Sequence, residues 1–82
     1  MRVSLQYDQL DALTAWARKR GWKSEATVGK DEVLRLRDGR QCAIFARKGN
    51  RPEVMVWGES EKLAKAFTRW LADQPQPQQA AG

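Results

Sequence analysis

The sequence predicts an α+β two-layer sandwich of order α-β-β-β-α, with a three-stranded antiparallel sheet and two helices on one face. Three observations predict it. Apolar residues recur at helical spacing near both ends of the folded part. Alternating runs lie between them, separated by Gly-containing turns. No connection is long enough for a crossover, so successive strands must run antiparallel.

The first helix is expected between Asp8 and Arg20, because Leu10, Leu13, Trp16 and Ala17 form one apolar stripe. Asp8 is the expected N-cap, with Ser4 as a competing cap that would lengthen the helix by about a turn. With Asp8 as the cap, Val3, Leu5 and Tyr7 alternate like a short strand. Arg18-Lys19-Arg20 suits the negative end of the helix dipole, and Gly21 suits the left-handed residue after it. Trp22 then folds back as the apolar contact of that C-terminal motif.

Trp22–Val28 reads as loop or weak edge strand. Glu32–Asp38 and Arg40–Lys48 read as strands around Asp38-Gly39, the strongest hairpin signal in the chain. Lys48-Gly49-Asn50-Arg51-Pro52 turns into a third strand, Glu53–Trp57. Two registers compete at the hairpin, and one residue of slip exchanges the faces. A two-residue loop puts Leu34, Leu36, Ala43 and Phe45 on one side. A three-residue loop, Arg37-Asp38-Gly39 with a Gly bulge, gathers Leu34, Leu36, Cys42, Ile44 and Ala46 instead. The bulged form segregates apolar side chains better and is the expectation, with Val54 and Val56 joining the core. The last helix is expected to start with Ser60 as N-cap, carrying Leu63, Phe67, Trp70 and Leu71 on its apolar face.

Residues 1–73 form one α+β domain on this reading, and the Gln/Pro-rich run 74–82 is expected to be disordered. Every Lys, Arg, Asp and Glu lies in 1–73, so the net charge of +5 belongs to the folded part. The chain has no His and a single Cys, which removes His-based triads, a structural zinc site and an internal disulfide. Cys42 is expected to be a small buried hydrophobe. The paired carboxylates Asp8/Asp11, Asp31/Glu32 and Glu59/Glu61 stand at helix starts and a turn, where capping explains them. No Gly-rich phosphate loop or nucleophile elbow is present. The expectation is therefore a protein without catalysis, cofactor or metal. No apolar run approaches the ~18–20 residues that cross a bilayer, and Met1-Arg2-Val3-Ser4 does not begin a signal peptide. A soluble, cytoplasmic protein is expected.

Two surfaces are candidates for binding. Lys62, Lys65 and Arg69 fall on the outer side of the last helix and, with Lys30, Lys48 and Arg51 in loops, suit phosphate contacts. In the bulged register the open sheet face carries Arg35, Phe45, Arg47, Met55 and Trp57, cations interleaved with apolar side chains. In the other register Phe45 and Trp57 are core. Trp16, Trp22 and Trp70 are assigned to the core or to the helix end.

Ser60-Glu61-Lys62-Leu63-Ala64-Lys65 resembles the S-K-K-x-A-K start of the last helix in the double-stranded RNA-binding domain family. Leu13–Trp22 is similar in rhythm to that family's first helix and its exit. The resemblance implies phosphate contacts from Lys62 and Lys65. Glu61 stands in place of the first lysine of the motif, and Asp38-Gly39-Arg40 in place of the G-P-x-H loop that reaches the minor groove. The expected function is nucleic-acid binding through the basic helix face and loops. The alternative is a protein-interaction module, such as a phage- or plasmid-encoded inhibitor or accessory factor, or a homodimer hiding the same aromatics.

Overall fold

The computed structural model describes residues 4–74. In chain order the elements are β1 (Leu5–Gln6), a 3₁₀ turn (Tyr7–Gln9), α1 (Leu10–Arg18), β2 (Lys23–Glu25), β3 (Glu32–Asp38), β4 (Gln41–Ala46), β5 (Glu53–Val54) and α2 (Glu59–Ala72). The fold is α+β: two helices, an antiparallel sheet of order β2-β3-β4, and a separate β1-β5 ladder. One bridge, Ala46 to Met55, links the two ladders. The expected tail lies, apart from Gln74, outside the described residues, as does Val3.

Both helices bury their apolar faces in one core. Leu10, Leu13, Trp16 and Ala17 of α1 meet Leu63, Ala64 and Phe67 of α2 there, together with Leu36, Ala43 and Phe45 from the sheet. Leu5 and Val54 pair across the small ladder and reach the same core. The C-terminus of α1 closes as the sequence suggests. Gly21 has φ +98°, its N–H donates to Arg18 O, and Trp22 N–H donates back to Ala17 O at 3.1 Å. Those two bonds satisfy carbonyls that the helix leaves open, and Trp22 packs against the core.

The hairpin departs from expectation. Asp38 pairs with Gln41, leaving Gly39-Arg40 as the loop, with a left-handed φ of +60° at Gly39. A Gly in the first central position suits a type II′ turn, whose twist matches the flanking strands. Leu36 therefore faces Ala43, and Leu34 faces Phe45. The irregularity expected at the turn sits instead at the far end of the ladder, between Glu32 and Leu34. That offset lets Ala46 follow Phe45 into the core, at 5 % and 0 % exposure. Phe45 is thus core and not part of an open face. Cys42 and Ile44, expected in the core, are left half-buried on the opposite side.

The third strand of the sheet is β2, which the sequence left open between loop and strand. Glu53–Trp57 does not run along β4. Only Glu53–Val54 is strand, and it pairs with β1 because Leu5 offers Val54 an apolar partner. Beyond Ala46, whose N–H and C=O both bond Met55, the Arg47 N–H points to the β3 side and donates to Asp31 O at 2.9 Å. The helix starts differ as well. Asp8 makes no cap; Gln9 Oε1 accepts from Gln6 N–H at 2.9 Å. Ser60 lies inside α2, fully buried, and hooks the preceding segment: its hydroxyl donates to Trp57 O and accepts from Trp57 N–H, both at 2.8 Å.

Candidate functional site

Helix geometry gathers the cations of α2. At 100° per residue, Lys62, Lys65 and Arg69 fall within about 60° of arc, on the side away from Leu63 and Phe67. All three are exposed. Lys62 has an exposed ion pair with Glu59 at 3.5 Å, a geometry that contributes little. Lys65 and Arg69 have no ion pair among the described residues.

The end of α1 meets this face. Trp16, Phe67 and Trp70 form an aromatic cluster, with Trp16 and Phe67 centroids 5.5 Å apart and Phe67 and Trp70 stacked at 5.9 Å. The Arg20 guanidinium lies over the Trp16 ring, 4.5 Å from its centroid. A groove of about 480 Å³ runs beside the cluster, lined by Trp16, Arg20, Lys65, Ala66, Arg69, Trp70 and Asp73. Three cations and one carboxylate therefore surround two indole rings. The Trp16 indole N–H is buried without a hydrogen-bond partner.

Arg20 was not among the candidate residues, because Arg18-Lys19-Arg20 is accounted for by the helix dipole alone. The available signal was its spacing: Trp16 and Arg20 are four apart, and neighbours on a helix surface share a face.

The loop cations form a second group. Lys48 and Arg51 line a groove with Glu53, Met55, Val56 and Glu61. Arg47 organises that loop, its guanidinium 3.8 Å from the Tyr7 ring centroid and its Nε donating to Arg51 O at 2.7 Å. Lys30 stands next to Asp31, whose carbonyl Arg47 holds, so it shares this end of the sheet but lines neither groove. Of the six expected cations, Lys65 and Arg69 line one groove and Lys48 and Arg51 the other, where Glu61 of α2 joins them.

The expected aromatic and basic sheet face is not assembled. Arg35 lies on the open side of the sheet, Phe45 is buried on the other, Arg47 covers Tyr7, and Met55 and Trp57 follow β5 at 44 % and 50 % exposure. What the open side does hold is paired charge. Arg35 grips Glu32 through Nε and Nη2 at 3.0 and 2.6 Å, and Glu32 also accepts from the N–H groups of Val28 and Gly29. The Arg35 hydrogen bonds, helped by those backbone donors, lower the Glu32 carboxyl to about 2. Arg37 pairs with Glu25 at 2.7 Å, and each of the two guanidinium groups is raised by its carboxylate partner. Cys42 is half-buried here, 3.9 Å from Arg35 Nη1, rather than fully inside.

Among the described residues no group of three or more His, Cys, Asp or Glu side chains stands close enough to hold a metal ion. No described helix is long and apolar enough to cross a membrane. No family model matches the chain, and neither a curated protein nor a solved structure does.

Proposed function

We propose that this chain is a small, non-enzymatic module that binds a nucleic-acid backbone through the cationic side of α2. One observation carries the reading: Arg20, Lys65 and Arg69 converge on a single groove against one carboxylate, and no ion pair among the described residues engages them. The guanidinium groups of the open sheet face are by contrast already satisfied by Glu32 and Glu25. Free cations release phosphate counterions on binding; paired ones must first break a contact. The net charge of +5 favours the same class of ligand. A chain with no His and one Cys lacks the usual nucleophile and base pairs, which supports binding without turnover.

The likeness of Ser60–Lys65 to the last helix of double-stranded RNA-binding domains makes duplex RNA the first duplex to test. If Arg20, Lys62, Lys65 and Arg69 each meet a phosphate, log K falls against log salt with a slope of about −3 to −4 on a duplex. Lys65→Glu combined with Arg69→Glu should weaken binding at low salt by roughly tenfold or more. A slope near zero, or no binding to duplex or single strand at low salt, removes the reading.

A second reading, a protein-interaction module of the inhibitor or accessory kind, draws on Met55 and Trp57. They are two residues apart and about half exposed, with Lys48 and Arg51 in the groove that Met55 lines. It gains if Trp57→Ala abolishes capture of a partner while leaving oligonucleotide affinity intact.

A further inference from the structure

We infer that the groove between the end of α1 and α2 seats one unpaired nucleotide, its base against the Trp70 indole and its phosphate between Lys65 and Arg69. The inference rests on the nucleic-acid reading and adds to it a preference for unpaired strand over continuous duplex.

Lys65, Arg69 and Arg20 set the charge of the groove, and only Asp73 opposes them. An occupant that is anionic at more than one point is thereby favoured. Inorganic phosphate would use those cations but not the rings. Phe67 stacks on Trp70 and so takes one side of it, yet Trp70 stays half-buried and lines the groove. Its remaining surface is the aromatic wall that an incoming planar group would meet. Trp16 is fixed beneath Arg20, whose guanidinium is itself a flat plane suited to stacking. A volume of about 480 Å³ lies within the range of small-molecule sites. Each unit of an unpaired strand supplies a flat base and an adjoining phosphate, and bases stack readily on exposed aromatic side chains. In a duplex the bases are stacked on one another and only phosphates are presented, so the open surface of Trp70 would go unused.

The test compares fluorescein-labelled U12 with a blunt 16-base-pair RNA duplex at low salt, on wild type and two variants. Ala66→Leu fills the groove from an exposed helix position without touching the core. Trp70→Leu removes the aromatic wall, and a thermal melt monitors its fold. Each variant should lower affinity for U12 by roughly 5- to 150-fold, the range for loss of one stacked base, and leave duplex affinity within about twofold. Tryptophan emission of the wild type should fall more on saturation with U12 than with duplex. If Ala66→Leu spares U12 binding, or weakens both ligands equally, the inference is wrong even though the chain binds nucleic acid. If neither oligonucleotide binds, the broader reading fails with it. If a Glu/Tyr copolymer displaces U12 and shows the same loss with Ala66→Leu, the groove takes acidic aromatic peptides and the nucleotide is excluded as its specific occupant.

Discussion

Phe45 and Glu32 stand on opposite faces of the same hairpin, and each has a consequence that can be measured alone. Phe45 is fully buried with Leu36 and Ala43. Phe45→Ala should therefore cost about 3–5 kcal/mol in urea unfolding, a large part of a small domain's stability. The same change on an open face would leave the midpoint almost where it was. Glu32 is ionised in the fold down to about pH 2, against an ordinary value of 4.5, because Arg35 and two backbone donors hold its charged form. A carboxylate whose folded value is depressed stabilises above its unfolded value, and that contribution is lost as pH falls towards the folded one. Its share of stability is thus complete above about pH 5 and fades between 4.5 and 2. Glu32→Gln should lower the melting temperature at pH 6, with the gap to wild type closing towards pH 2. A gap that stays constant with pH would show that the carboxylate's charge is not what Arg35 needs.

At the scale of elements, the two helices were legible because their signals are local. Leu10, Leu13, Trp16 and Ala17 recur at helical spacing whatever they pack against, and so do Leu63, Phe67 and Trp70. The end of α1 was legible for the same reason: Gly21 and Trp22 complete a motif spanning six residues. Nothing lies within 4 Å of a side chain added at Gly21, so Gly21→Ala meets only the strain of its left-handed backbone. The expected loss is about 1–2 kcal/mol, read from a shifted urea midpoint at unchanged slope. The hairpin was not legible in this way. Both expected registers turn around Asp38-Gly39, whereas the chain turns at Gly39-Arg40, with the face pattern of the two-residue loop. The difference is which face meets the helices. Ser60 misled similarly: a serine at a helix start signals a cap, but here the hydroxyl points back to Trp57.

On the scale of the molecule, α2 is a rod of 14 residues and about 20 Å. Its N-terminal end carries Glu61 into the groove of Lys48 and Arg51, and its other half carries Lys65 and Arg69 to Arg20. Glu61 is the acid that α2 sets against the loop cations Lys48 and Arg51. Glu61→Lys should join them, steepening the salt dependence of duplex binding by about one unit. The same change places a cation in the first turn, against the helix dipole, and should cost about 0.3–1 kcal/mol of stability. Tighter binding from a less stable protein is the expected combination, checked by a salt titration beside a thermal melt. Unchanged binding would mean that the loop cations and the helix cations do not serve one ligand.

The amino-acid sequence alone determined the class of fold, both helices and their buried faces, and which cations share the outer side of α2. Each of these depends on neighbours within about two turns or on chain-wide composition. Tertiary structure decided the hairpin register, the exchange of strands that left Glu53–Val54 with Leu5–Gln6, and the meeting of Arg20 with Lys65 and Arg69. Those outcomes depend on residues far apart in the chain competing for one core. Burial of Phe45 and Leu5 outweighed the local preferences of the turns, and no local pattern records that competition.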